Sequence, residues 1–240
     1  MREEIEMKNR LPDILTVALF CGIVFLLSTA FVLLPAKDFS PDENRALEQK
    51  PEFTASRLFD GSLTSDVNGW FSGAREPGEF AQKARAAVAR GVTALKWDPF
   101  GKSYLSISGA ALDQALRCVA AVREAVGPGV DLLIEGHGRF NVPTAIQIAR
   151  ELAPFKPMWF EEPVPPDSLE ALKEVRDKSP VPLSAGERLY TRWDYRRFFD
   201  LLPADYIQPD VSHAGGVMEL KKIAAEAECR YIPFAPHNPS

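Results

Sequence analysis

The stretch Met158–Pro166, which reads MWFEEPVPP, indicates the kind of fold that this chain adopts. Its apolar residues end abruptly in two carboxylates, Glu161 and Glu162, and the prolines that follow cannot continue a strand or a helix. Short apolar runs are typical of buried strands in parallel sheets, and an acid at the end of such a strand lies at the rim of the sheet. An acidic pair before proline is by itself more often part of a solvated turn. Whether these two acids lie at the rim of a sheet therefore depends on the pattern in the rest of the chain.

Strand-like and helix-like segments alternate on both sides of this stretch. Apolar residues at helical spacing predict the helices, and short apolar runs between them predict the strands. Such alternation favours an α/β fold in which crossover connections join the strands of a parallel sheet. The predicted helices span 79–90, 110–126, 143–152, 168–177, 193–200 and 217–227, and the predicted strands span 92–96, 130–135, 157–161, 181–187, 205–210 and 231–237.

A polar side chain follows each apolar run at the same phase of this repeat. These residues are Lys96, Glu135, Glu161, Glu187, Asp210 and His237, and the last five are 26, 26, 23 and 27 residues apart. The spacing is close to one βα unit, since an eight-unit barrel has roughly 31 residues per unit. The carboxyl ends of barrel strands converge on one mouth, so the period predicts a single site there.

The types of residue at this predicted mouth favour acid–base chemistry beside a metal. Three carboxylates would repel one another without a cation, and oxygen ligands suit a hard ion such as Mg²⁺. Asp210 and His237 lie on neighbouring units, where a carboxylate can orient an imidazole and raise its basicity. A metal beside such a base fits removal of a proton next to a carboxylate, with the resulting enediolate held by the metal.

Six motifs carry a resemblance to a known family. KWDPFG, IEGHGRF, WFEEPV, AGERLY, IQPDVSHAGG and APHNP, in this order between about residues 68 and 240, resemble the mandelate racemase branch of the enolase superfamily, and most of all its sugar-acid dehydratases. The resemblance implies a hydro-lyase that removes the α-proton of a small sugar acid and expels the β-hydroxyl. It implies that Glu135, Glu161 and Glu187 bind Mg²⁺, and that Asp210 and His237 form the base dyad.

The same resemblance assigns roles to residues near these motifs. His137 matches the position that delivers a proton to the departing β-hydroxyl, although a lone histidine there would more often be structural. Lys96 would lie near the substrate carboxylate, and Asp98 stands where racemases carry a second lysine base, which favours elimination over racemisation. Glu162 and Arg188 are expected to support neighbouring ligands, and His213 to be a solvated loop histidine.

The N-terminal quarter has a different character. After a tail at 1–13, residues 14–36 contain no charge and are long enough to form a transmembrane helix, with a weak preference for a cytoplasmic N-terminus. Residues 37–67 read as a linker. Within it, ENRALEQKPEF (Glu43–Phe53) and LFDGSLTSD (Leu58–Asp66) resemble the membrane-proximal stub of DHHW-family envelope proteins, some of which are linked to polysaccharide O-acetylation.

These two parts lead to further expectations about the chain as a whole. We expect an incomplete (β/α)8 barrel at 68–240 with about seven strands, its first strand cut near Asn68–Trp70, no eighth strand and no capping domain. The join near Val67 and Asn68 indicates a chimera with impaired dehydratase activity. The alternatives are a membrane-anchored envelope protein whose C-terminus is replaced, or an inactive fragment. As it stands the chain is expected at a membrane, although the barrel family is cytoplasmic and its intact fold can form homo-oligomers.

Composition narrows the range of partners. The chain has 240 residues, of which 46% are hydrophobic and 25% charged, as is usual for a globular protein. Its net charge of -5 gives no electrostatic reason to expect a nucleic acid as partner. The three cysteines, Cys21, Cys118 and Cys229, form no disulfide framework or metal-binding pattern. Cys118 lies in an apolar run and is expected to be buried.

Overall fold

Six strands form one sheet in which each strand lies beside the next one along the chain. The computed structural model describes residues 63–65, 71 and 73–237 of the chain, with the backbone alone at 63–65. Every strand pairing is parallel. This confirms the predicted α/β fold with a parallel sheet. The strands are β1 (Leu63–Ser65), β2 (Ala94–Trp97), β3 (Asp131–Glu135), β4 (Trp159–Glu161), β5 (Leu183–Ala185) and β6 (Tyr206–Ile207).

A helix follows each strand, and its ends agree with the sequence prediction to about two residues. The helices are α1 (Pro77–Val88), α2 (Gly109–Val126), α3 (Val142–Leu152), α4 (Leu169–Lys178), α5 (Thr191–Leu201) and α6 (Val217–Glu228). Side chains of Ser108, Asn141 and Ser168 begin α2, α3 and α4, each accepting a hydrogen bond from a free backbone N–H of the first turn. These caps fix where three of the strand-to-helix loops end.

The alternation of side chains along the strands divides the core in two. Leu132 and Ile134 of β3 pack outward with the helices in the larger cluster, which also contains Cys118 as expected. Leu133 belongs instead to a small inner cluster with Ala94, Trp159 and Ala235. Because that cluster draws residues from β2 through to the segment after α6, the inner faces of non-adjacent strands meet and the sheet is curved. Polar residues in phase with this inner cluster therefore face inward too.

The segment after α6 takes the place of a seventh strand. Phe234 pairs in parallel with Ile207, and His237 pairs in parallel with Asp210. The backbone N–H of His237 donates to the carbonyl of Pro209 at 3.0 Å. The predicted strand at 231–237 is thus present as two bridges, and it brings His237 beside Asp210.

The first strand differs from the prediction. We expected only the end of a strand near Asn68–Trp70, whereas the structure has β1 at Leu63–Ser65, paired in parallel with β2. This strand lies inside the segment that the sequence assigned to a linker. Three residues are too few to show an alternating pattern, so only the pairing with β2 reveals the strand. The predicted domain boundary near Val67 stays a prediction.

The other N-terminal predictions fall outside the described residues. This holds for the transmembrane helix at 14–36 and for most of the DHHW-like stub. Within the part of the chain that the structure describes, no helix is long and apolar enough to cross a membrane.

Candidate active site

The inner face of the sheet carries a buried group of three charged side chains. Lys96 is the residue before the last one of β2. Its Nζ lies 2.9 Å from Oε2 of Glu135 and is in close contact with Oε1 of Glu161. Glu135 and Glu161 are directly paired in the register of β3 and β4. All three side chains are at most 5% exposed. Two predicted metal ligands therefore share one ammonium ion.

Burial and mutual charge set the ionisation of this group. Burial and the neighbouring charge of Glu161 raise the pKa of Glu135 well above its usual range, and the ammonium of Lys96 only partly offsets this. Burial also favours the neutral form of Glu161, but Lys96 and hydrogen bonds to the carboxylate hold the pKa of Glu161 below its usual value. Burial opposes the charge on Lys96, yet the two glutamates raise the pKa of Lys96. The group is thus close to neutral, as a buried cluster must be.

A second group forms around His237. Its Nδ1 lies 3.0 Å from Oδ2 of Asp210, and its Nε2 lies 3.1 Å from Oε2 of Glu187. Asp210 is fully buried, and its other oxygen accepts hydrogen bonds from the backbone N–H groups of Ser212 and His213 at 2.7 and 3.0 Å. Burial by itself would raise the pKa of Asp210, but these amides and His237 lower it. The structure thus brings the predicted base dyad together.

Glu162 lies beside the third predicted ligand. Its φ of 37° places the residue in the left-handed region, directly after β4. Oε2 of Glu162 lies 3.1 Å from Nε of Arg188 but accepts no hydrogen bond. Burial, together with the charge of Glu187, raises the pKa of Glu162 to about 8, and Arg188 partly offsets this. Nε of Arg188 also lies 3.4 Å from Oε1 of Glu187, which places Arg188 beside two of the predicted site acids.

The two remaining predicted histidines lie in loops. His137 is part-exposed and its Nδ1 lies 2.7 Å from Oδ2 of Asp98, while its backbone N–H donates to Oε1 of Glu135 at 2.7 Å. His213 is exposed, as expected, yet its Nδ1 lies 2.9 Å from the backbone carbonyl of Glu187. Both histidines therefore contact residues or backbone of the predicted site.

The three predicted metal ligands do not stand together as a ready site. Glu135 and Glu161 face Lys96, whereas Glu187 faces His237 and Arg188. Among the residues at 73–237 no group of three or more histidine, cysteine or acidic side chains is arranged to hold a metal ion. The ammonium of Lys96 lies between Glu135 and Glu161, in the place that a cation shared by these two carboxylates would take.

The donor set nevertheless has the chemistry that a hard cation requires. Glu135 and Glu161 are buried carboxylates that already hold one positive charge between them. Gln208 bonds to Glu161, and its own Oε1 is buried without a hydrogen-bond partner. Carboxylate and amide oxygens are the ligands that Mg²⁺ and Ca²⁺ take in proteins. The side chains at this end of the sheet are therefore of the type that a divalent cation takes as ligands.

Sequence reasoning missed several residues that hold the site. Trp159 donates from Nε1 to Oε2 of Glu161 at 2.9 Å, and Gln208 approaches the same carboxylate. Each stands two residues before a predicted site acid, so strand alternation could have found them. Arg139 bonds to Asp98 across the mouth at 2.6 Å. Only loop conformation creates that contact, so no sequence pattern marked it.

Gly136 occupies a position where a larger residue cannot fit. A Cβ built there would lie 2.8 Å from the backbone oxygen of Glu162 and 2.9 Å from that of Glu161. Gly136→Ala is therefore expected to destabilise the protein by about 1–3 kcal/mol, because rigid backbone must move. Chemical denaturation would measure the loss. Gly129→Ala is the matched control, since a Cβ at Gly129 meets no atom within 4 Å, and equal stability of the two variants would contradict the prediction.

The fold and the site define a class of protein. A parallel sheet with acids at the ends of successive strands, beside a His–Asp pair, is typical of α/β folds that carry a site at the carboxyl ends of their strands. Residues 79–240 match the family described as enolase C-terminal domain-like. Since the match covers more than half of the chain, this chain belongs to that family.

Relatives and solved structures agree with this assignment. The chain is 43% identical over 185 residues to a D-gluconate dehydratase of Thermoproteus tenax, covering 75% of this chain and 37% of the relative. It is 39% identical over 170 residues to a D-galactonate dehydratase of Xanthomonas euvesicatoria pv. vesicatoria, covering 71% and 44%. The structure of a mandelate racemase/muconate lactonizing enzyme-like protein from Rubrobacter xylanophilus has a TM-score of 0.66 and 43% identity, covering 75% of this chain and 48% of that one. The chain thus spans less than half the length of these relatives.

Proposed function

We propose that the segment from β1 onward forms part of the catalytic (β/α)8 barrel of a Mg²⁺-dependent sugar-acid dehydratase. The observation that carries this proposal is the placement of His237 between Asp210 and Glu187, at 3.0 and 3.1 Å, at the end of the sheet that also holds Glu135 and Glu161. The dehydratase names of the relatives support the choice of reaction. The substrate class is a small-molecule aldonic acid.

In this proposal His237 is the base. Asp210 holds Nδ1 of His237, so Nε2 is the nitrogen that accepts the α-proton of the substrate. Nε2 now contacts Glu187, so Glu187 has to engage another partner before Nε2 can act. The hydrogen bonds from Ser212 and His213 keep Asp210 ionised, which stabilises the imidazolium that forms.

Glu135, Glu161 and Glu187 are the residues that would hold the cation. A bound Mg²⁺ supplies positive charge that stabilises the negative charge developing on the substrate carboxylate as the α-proton leaves. Lys96, released from the glutamates, can then turn its ammonium to the substrate carboxylate. His137 donates a proton to the departing β-hydroxyl, and the product is a 2-keto-3-deoxy acid.

The decisive experiment is a turnover assay on the full chain. Purified protein incubated with D-gluconate or D-galactonate is expected to form a keto acid, detected as its semicarbazone, with MgCl₂ but not with EDTA. Glu187→Gln is expected to require more Mg²⁺ for half-maximal activity, because a neutral amide binds the cation more weakly. Glu151→Gln, an exposed residue of α3, is the matched control. The proposal is wrong if product forms in EDTA, or if the two variants require the same Mg²⁺ concentration for half-maximal activity.

We further propose that residues 14–36 anchor the chain in a membrane and that the residues between this segment and β1 link the anchor to the barrel. The support is the uncharged stretch of 23 residues at 14–36. After expression, the full chain is expected to sediment with membranes and to resist extraction by alkaline carbonate. Recovery of the chain in the carbonate supernatant would rule out the anchor.

A further inference from the structure

The loop between β3 and α3 holds His137 in a defined orientation. The backbone of His137 has a φ of 53°, in the left-handed region, and its N–H donates to Oε1 of Glu135 at 2.7 Å. The ring contacts Oδ2 of Asp98 through Nδ1 at 2.7 Å. An ionised carboxylate only accepts hydrogen bonds, so Nδ1 carries the hydrogen and Nε2 is the nitrogen left free.

Asp98 is itself fixed from three sides. Its Oδ1 accepts a hydrogen bond from the backbone N–H of Phe100 at 2.9 Å, and its Oδ2 accepts from Nη2 of Arg139 at 2.6 Å as well as from His137. The side chain of Asp98 is 12% exposed. A carboxylate with three donors has no freedom to rotate, so the direction in which it holds the imidazole is set.

Arg139 connects this carboxylate to two loops. Its Nη1 donates to the carbonyl of Gly101 at 2.7 Å, in the loop after β2, and its Nε donates to the carbonyl of Gly136 at 3.1 Å, in the loop after β3. The planar guanidinium therefore bonds three acceptors at once. Nothing in the proposed chemistry requires a guanidinium at this place, yet the arrangement locks Asp98 and His137 together.

We infer that Asp98 and Arg139 are positioning residues for His137. This inference rests on the proposed function and specifies which nitrogen of His137 delivers the proton. When the α-proton has passed to His237, the remaining electron pair forms the C=C bond and the C–O bond to the β-hydroxyl breaks. For this step His137 carries a proton on both ring nitrogens. The Nε2–H bond breaks as that proton joins the leaving oxygen, water departs, and the ring is left neutral with its remaining hydrogen on Nδ1. Asp98 holds the ring by Nδ1 throughout.

The reaction has two steps, removal of the α-proton and loss of the β-hydroxyl, and they can be measured separately. A residue that positions His137 affects only the second step, whereas a merely structural residue affects both. In D₂O the exchange of the α-hydrogen requires only His237, whereas dehydration also requires His137. Asp98→Asn is expected to keep α-exchange near the wild-type rate and to lower dehydration by about 10- to 100-fold, as for partners that orient other histidines. Arg139→Gln is expected to show the same selectivity with a smaller loss. Asp113→Asn, an exposed residue of α2, is the matched control.

A change of leaving group tests the same point independently. A substrate with fluorine in place of the β-hydroxyl expels fluoride, which needs little help from a proton donor. The rate difference between Asp98→Asn and wild type is therefore expected to shrink strongly with the fluorinated substrate. If Asp98→Asn lowers α-exchange as much as dehydration, or if fluoride release falls as much as water loss, the positioning role is wrong.

A spectroscopic measurement keeps this inference distinct from the proposed function. In protein labelled with ¹⁵N-histidine, the Nδ1 resonance of His137 is expected to show a bound proton in the wild type and to lose that state in Asp98→Asn. Only three histidines are present, so His213→Asn and His237→Asn assign the signals. An unprotonated Nδ1 in the wild type would overturn the inference even if the chain dehydrates sugar acids. Absence of any α-exchange in the wild type would overturn the proposed function alone.

Discussion

Lys96→Met is expected to destabilise the protein strongly when no divalent cation is present. The ammonium of Lys96 lies between Glu135 and Glu161, and removing it leaves these two buried carboxyl groups without a counter-charge. Removing one partner of a buried ion pair typically costs about 3–5 kcal/mol, and we expect about 3 kcal/mol because Glu135 can take up a proton. For a domain of this size the melting temperature would fall by roughly 6 to 12 °C. Thermal unfolding in EDTA, followed by circular dichroism, measures this shift.

The same variant tests how the cation enters. If Mg²⁺ and the ammonium of Lys96 compete for Glu135 and Glu161, MgCl₂ should raise the melting temperature of Lys96→Met more than that of the wild type. Lys102→Met is the matched control, because Lys102 lies exposed in the loop after β2. If Lys96→Met and Lys102→Met have the same melting temperature in EDTA, the buried ion pairs of Lys96 contribute little to the stability of the protein. An equal response of all three proteins to MgCl₂ would show that Lys96 does not compete.

His237→Asn is expected to abolish most of the proposed dehydratase activity while leaving the fold intact. The asparagine amide can still donate to Oδ2 of Asp210, so the buried carboxylate keeps a partner. It cannot accept the α-proton, and the loss of a general base lowers kcat by about 10²–10⁴-fold. Both the exchange of the α-hydrogen in D₂O and the formation of keto acid should fall together. Substrate affinity should change little.

The comparison variant for this prediction is His213→Asn. His213 supports Asp210 through its backbone N–H, which the substitution retains, and its ring is exposed. Its loss of activity is expected to be the smaller of the two. Equal losses would show that His237 has no special part in proton transfer, and a normal rate of α-exchange in His237→Asn would assign the base to another residue.

The sequence predicted the alternating fold and the strand-end acids well, because both follow from local patterns. The helices between Glu135, Glu161 and Glu187 are 11 and 10 residues long, so the period that links these acids reflects the size of one βα unit. The structure places Glu135 and Glu161 opposite one another at the ends of adjacent strands, as that period requires. The choice of Glu161 over Glu162 as the inward acid also agrees with the alternation of β4, since Glu161 contacts Lys96.

Other features could not be read from the chain. The strand β1 is three residues long, and its pairing with β2 depends on contacts with residues about 30 positions away. The contacts of Lys96 could not be predicted from local sequence either. Its position suggested a substrate contact, but its ammonium faces two glutamates. That contact is set by the register of three strands, and register is a tertiary property.

The amino-acid sequence by itself therefore determined the order of strands and helices, the family resemblance and which acids and histidines stand at strand ends, because each of these depends on residue type and local spacing. Apart from the pair of Asp210 and His237, which the sequence also predicted, the tertiary structure decided which of those groups meet. It divided them into Lys96 with two glutamates and His237 with Asp210 and Glu187. It also joined Asp98 to Arg139 and His137, because loops in left-handed conformations can turn side chains toward one another in ways that no periodic pattern records.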